Sequence, residues 1–147
     1  GEILNFAMNM EQAGDVVDGN LLPHCAKRLK RGLEFSKEGE AELLAMMDRL
    51  VTNLRTAASL FMTDDRRAAR LLVDEKVTFR DLEAAATQSH FDRLRAGRRD
   101  TAETSALHLD LLRDMKRVNG HIVAAAAYPV LERSGKLLPS RVTEGEG

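Results

Sequence analysis

Tryptophan is absent, aromatic residues make up 4% of the chain, and runs of β-branched residues are nearly missing. An all-β fold draws on those residue types to cover its pleated faces, so the composition disfavours it. Cys25 is the one cysteine, so no internal disulfide can form, and this usage fits a reducing compartment. An excess of one charge is missing too. With 22 basic and 23 acidic residues the formal net charge is -1, which gives no electrostatic basis for nucleic-acid binding as the main activity. Long apolar runs are also absent: the longest, Ile122 to Leu131, contains Tyr128 and Pro129. It is half the ~20 residues of a membrane-spanning helix. No signal-peptide pattern opens the sequence, so the expectation is a soluble chain. Residue 1 is Gly rather than Met and helical periodicity starts at once, which suggests an excised part of a longer chain.

What is present is helix-forming. The 147 residues fit one domain, and 44% hydrophobic with 31% charged residues, rich in Ala, Leu, Glu, Arg and Asp, is the composition of long helices. Four are expected. The first runs from about Ile3 to Leu33, with apolar Phe6, Met10, Ala13, Val17 and Leu21, a kink near Gly19 ahead of Pro23, and Gly32 as its stop. The second starts at Ser36 as N-cap, with Glu38 and Glu40 in its first turn. Its Leu43, Met47, Leu50, Leu54, Ala57 and Phe61 form a coiled-coil-like seam. The third begins at Thr63 or Asp64 as N-cap and turns Ala68, Leu72, Glu75, Phe79, Leu82 and Ala86 inward before ending at Gly97. The fourth opens at Asp100 or Thr101 and buries Leu107, Leu111, Val118, Ile122 and Ala125, with Pro129 kinking or ending it near Ala127. Short connections between long helices predict an all-α, antiparallel up-down bundle over residues 1–138, and a disordered Gly/Glu-rich tail over 139–147.

Chemistry concentrates on two acidic faces. Glu11, Asp15 and Asp18 stand at i, i+4 and i+7 and so share one side of the first helix. Asp110, Asp114, Arg117 and His121 form a polar stripe on the fourth. In an antiparallel pairing Asp15 could face Asp114, with Glu11 and Asp18 a turn to either side and Glu75 joining from the third helix. Carboxylates projected inward from several helices are how bundles build oxygen-rich metal sites for Mg, Ca or Mn, and less readily Fe. The candidate ligands are therefore Glu11, Asp15, Asp18, Asp110 and Asp114, for a divalent or iron-type ion. The alternative is that these faces are solvated, or neutralised by Arg113, Lys116 and Arg117. No Glu-x-x-His pair occurs, which argues against a ferritin-type oxygen-activating centre.

The remaining candidates are weaker. His24, His90 and His108 lack the spacing of a zinc site and read as surface or capping residues, with His121 better placed beside the acidic stripe. Cys25 has Lys27 and Arg28 nearby but no base partner. There is no Ser-His-Asp arrangement, phosphate-cradling glycine loop or dinucleotide fingerprint, and nothing points to an enzyme. Basic clusters at Lys27 to Arg31 and Arg93 to Arg99 match the helix dipoles, or could touch anionic lipid headgroups.

The stretch NMEQAGDVVDGNLL resembles the acidic signature of PhoU-like helical domains, a Glu or Asp followed four residues later by Asp, here Glu11 and Asp15. LHLDLLRDMKRVNGHI resembles a second copy, with Asp110 and Asp114 in the same places, about a hundred residues on, as a duplicated unit would have it. With KRGLEFSKEG and AYPVLE, the pattern is most similar to the cytoplasmic C-terminal PhoU-like region of bacterial sodium/phosphate cotransporters. That resemblance implies helical bundles built from a repeated three-helix unit, phosphate homeostasis, and often metal ions at the acidic signature. It also implies a place on the cytoplasmic side of the inner membrane, a transporter domain of the same chain as partner, and control of phosphate uptake. Self-association into a homodimer is a further expectation. Arg113 stands where the first copy has Gly14, and a cation there could take the place of a metal ion. Two other readings stay open: a free-standing PhoU-type phosphate-signalling adaptor, and a carboxylate-bridged metalloenzyme.

Overall fold

In the computed structural model, which describes residues 2–135, the helices are α1 (Glu2–Val16), α2 (Leu22–Arg31), α3 (Lys37–Met62), α4 (Arg66–Arg95), the short α5 (Arg99–Glu103) and α6 (Ser105–Arg133). Residues 136–147, which include the expected tail, lie outside the described residues, as do the side chains of Leu21 and Lys27. No β-strand occurs among the described residues, and the fold is the expected all-α bundle.

Local chemistry sets the helix ends. Gly32 has φ 63°, and the next N–H, of Leu33, donates to the Arg28 carbonyl at 3.1 Å. The same closure recurs at Gly97 (φ 78°), where Arg98 N–H reaches the Arg93 carbonyl at 3.1 Å. In both cases a left-handed residue after the last turn satisfies orphan carbonyls, and glycine adopts that conformation without a Cβ clash. Ser36 Oγ accepts from Gly39 N–H at 3.0 Å, capping α3 as expected. The cap of α4 is Asp65, one residue beyond the two candidates: its carboxylate accepts from Ala68 N–H at 3.1 Å, while Thr63 closes α3.

Between α1 and α2 lies a π-helical turn, Val17–Leu21, that contains Gly19. The expected irregularity is therefore a widened turn. It lies directly ahead of Pro23, whose missing N–H and ring disturb the preceding turn of a continuous rod. The start of the last long helix is broken in two at Thr104 (φ -112°, ψ 8°), which leaves the helical region. Pro129 does not end α6. Val130 and Leu131 beyond it are buried, and their burial offsets the ~3 kcal/mol that an interior proline costs.

α6 is the axis of the bundle, packed against α1, α3 and α4, while α3 and α4 also pack on each other. Contacts fix the directions. His24 meets Asp114 while Phe6 shares a hollow with Pro129, and Lys76 meets Tyr128 while His90 meets Ser105, so α6 runs antiparallel to both the α1–α2 rod and α4. Gly39 lies by His108 and Asn53 by Asn119, so α3 runs parallel to α6. An up-down bundle results, with the α3–α6 pair as its short diagonal. Hence α6 is buried on nearly every side, from Leu107 and Leu111 to Val130 and Leu131.

The seam expected on α3 is displaced. Met46, Leu50, Asn53, Ala57 and Leu60 face the core, whereas Met47, Leu54 and Phe61 are exposed and Leu43 is half-buried. The third helix matches its expectation better: Leu72, Phe79 and Ala86 are buried, and Ala68 and Leu82 pack against the core.

Candidate functional site

Ala13 and Val16 take the inward side of α1, each at 5% exposure, and this turns Glu11 and Asp15 outward with Asp18 into solvent. On α6 the situation is reversed. Asp114 is buried at 1% exposure, and its carboxylate lies 3.0 Å from His24 Nδ1. His24 Nε2 stands 3.6 Å from Asp110, whose other oxygen is paired with Arg113. The proposed meeting of Asp15 with Asp114 is thus not what the fold makes. The antiparallel register opposes Asp114 to His24, and Asp15 to Arg117 and His121. Glu75 stays with its own neighbours: Arg49 donates to both its oxygens at 2.8 and 2.7 Å, and Asn53 to one at 3.1 Å. Among the described residues no three His, Cys, Asp or Glu side chains gather as a metal site. Ligands to one ion must converge on a common point at ~2.0–2.6 Å. Around Asp110 and Asp114 an imidazole occupies the space between the carboxylates instead.

Asp15 has a different setting. With Gln12, Val16 and Asn20 it forms one wall of an open groove of about 460 Å³, and Arg117 and His121 of α6 form the other. The π-helical turn carries Asn20 to this groove. The His121 pKa is held below its ordinary value by burial first, then by the charges of Arg117 and Lys76. A neutral imidazole with one N–H therefore faces the groove beside a guanidinium.

A second polar cluster lies where α3, α4 and α6 meet. His90 and His108 are neither surface nor capping residues: both are 1% exposed and their rings stack at 4.9 Å. His90 Nε2 lies 2.7 Å from Ser105 Oγ, and Glu42 stands 3.4 Å from His108 while accepting from Arg93 at 2.9 Å. Burial lowers both histidine pKa values. For His108, the neighbouring His90 and Arg93 add to the effect against the opposing pull of Glu42, bringing it to about 4. Two neutral rings can stack in this space where two cations could not. A signal existed, since His90 continues the Phe79–Ala86 face at the next helical step.

The basic cluster from Arg93 to Arg99 is tied to carboxylates. Arg93 pairs with Glu42, Arg95 with Asp92, Arg98 with Glu38 and Asp100, and Arg99 with Glu103. The open apolar surface lies elsewhere, along α3, where Leu44, Met47, Val51, Leu54, Phe61 and Met62 are exposed. At its two ends are a hollow of about 270 Å³ that includes Cys25, Leu43 and Met47, and one of about 330 Å³ that includes Phe6, Phe61 and Pro129.

Neither a family model nor a solved structure matches this chain. Sequence relatives do. Over 132 residues, 90% of the chain, it is 41% identical to a Salmonella typhimurium protein named "putative inorganic phosphate export protein YjbB". The protein of the same name from Escherichia coli K12 is 39% identical over the same length. The chain spans 24% of the length of these curated relatives. No helix among the described residues is long and apolar enough to cross a membrane.

Proposed function

We propose that this chain is a PhoU-like regulatory or accessory domain of a membrane phosphate transporter, held at the cytoplasmic face of the bacterial inner membrane. The observation that carries this reading is the 41% identity, over nearly the whole chain, to a quarter-length part of a protein named for inorganic phosphate export. Because none of the described helices can span a bilayer, translocation belongs to other parts of such a protein, and this part supplies control or attachment. Control requires that it interact differently with two transporter states. The exposed apolar face of α3 suits contact with a transporter segment or with a second copy of the domain. The resemblance noted above adds sodium coupling and uptake, whereas the relatives' names point to export. Their common element is phosphate flux across the membrane.

The test is radiolabelled phosphate flux, measured in both directions in cells expressing the full-length transporter with and without this segment. The expected result is retained transport whose dependence on internal phosphate is altered. Identical rates and identical phosphate dependence in the two strains would sink the proposal. A full-length gene product without membrane spans would favour the free-standing adaptor instead.

A further inference from the structure

Arg117 and His121 stand one helical turn apart on α6, so both reach the same groove. Arg117 is exposed and makes no ion pair among the described residues, although Asp15 lines the facing wall. A guanidinium left unpaired at a groove offers a planar fork of N–H donors matched to an oxyanion. His121 adds a ring N–H, the amides of Gln12 and Asn20 add donors, and Lys76 on α4 is close enough for its charge to act on His121. Only Asp15 is acceptor-only in this set. Against a fully deprotonated anion it would repel. Against an oxyanion that keeps a proton near neutral pH it has a partner.

We propose that the α1–α6 groove binds inorganic phosphate, with Arg117 and His121 donating to its oxygens and Asp15 accepting from its P–O–H. Hydrogen phosphate has that O–H donor near neutral pH; sulfate is the same size and shape and lacks it. A site built to accept a ligand's hydroxyl proton rejects the analogue without one, because its own acceptor is left facing an anion. The π-helical turn fits this assignment, since such turns recur at functional sites and this one brings Asn20 to the groove. The choice of phosphate as ligand rests in part on the transporter reading. The donor and acceptor set is independent of it.

The test is a backbone-amide NMR titration of the 147-residue chain near neutral pH and at constant ionic strength. Three probes are compared: inorganic phosphate, sulfate, and vesicles containing phosphatidate, whose headgroup has the same P–O–H chemistry. Saturable shifts around Asn20, Arg117 and His121 are expected with inorganic phosphate, with sulfate weaker by about tenfold. Arg117→Gln should weaken phosphate by about tenfold or more. Asp15→Asn should keep phosphate bound and erase the preference over sulfate. Both positions are exposed, so both variants should keep the native urea midpoint. An unsaturable response, equal binding of sulfate by the native chain, or a response to the vesicles alone would overturn the site. This titration involves no transporter, so its failure leaves the regulatory reading standing, and failure of the flux experiment leaves the site standing.

Discussion

On α1, Glu11 and Asp15 stand one turn apart in solvent; on α6, Asp110 and Asp114 stand one turn apart with His24 facing both and Arg113 at the side. Laid over one another, the two stretches look like copies of one acidic motif. Their environments differ because their helices occupy different places. α1 has a single inward stripe, so residues off that stripe reach water. α6 is the axis of the bundle, so most of its positions meet another helix. The buried copy spends its carboxylates on holding α2 against α6. The exposed copy keeps Asp15 available at a groove. Spacing decides which residues share a face, and the place of the helix decides whether that face is architecture or a site.

The sharpest way to break this contrast is to remove the histidine. His24→Ala leaves Asp114 buried without its partner and should lower stability by about 3 kcal/mol, read as a drop in the urea midpoint at unchanged slope. Acid should act next, through the other histidines. His108 takes a proton near 6.5 when unfolded but near 4 when folded, so between those values the unfolded chain binds more protons. Stability should therefore fall as the pH drops through that window, by about 2 kcal/mol at about pH 5. His108→Gln should flatten the dependence; an equally steep slope in that variant would refute the assignment. Asp114→Asn keeps one acceptor oxygen for His24 and should cost about 1 kcal/mol in the same denaturation series. Smallest of all, Glu11→Gln, Asp18→Asn and Arg113→Ala should each stay within about 0.5 kcal/mol, since each alters only exposed charges. A cost above 1 kcal/mol for Glu11→Gln would mean that the exposed copy has a structural duty too.

Features decided within one turn of helix were legible in the sequence. Ser36, Gly32 and Gly97 bound their helices as composition suggested, because a cap needs only its own few neighbours. The inward face of α4 was legible for a related reason: its apolar residues occupy one arc and leave no second choice. α3 offers two. Apolar residues cover so wide an arc that Met46–Leu50–Ala57 and Leu43–Met47–Leu54 both fit helical spacing, and only the position of α6 selects the first. The pairing of His24 with Asp114 was hidden for the same reason, since antiparallel register belongs to the assembled bundle and not to either helix. Asp15 lines the α1–α6 groove. Its partners in that groove, Arg117 and His121, share a stripe with Asp110 and Asp114 on α6, and only the antiparallel register brings them to Asp15.

The π-helical turn at Val17–Leu21 has a further consequence, best put in terms of phase. Closing each hydrogen-bonded ring over one more residue than an α-helix does lets one extra residue enter the rod without breaking it. An α-helix advances about 100° per residue, so everything after the turn points about one residue-step away from where an unbroken helix would aim it. The two halves of the rod can therefore be set against α6 separately: Ala13 and Val16 by their apolar contacts, His24 by its carboxylate. Deleting one residue within 17–21 would let the rod heal into continuous α-helix, at the cost of rotating His24 and Cys25 relative to Val16. The turn works as a vernier between a greasy contact and a charged one.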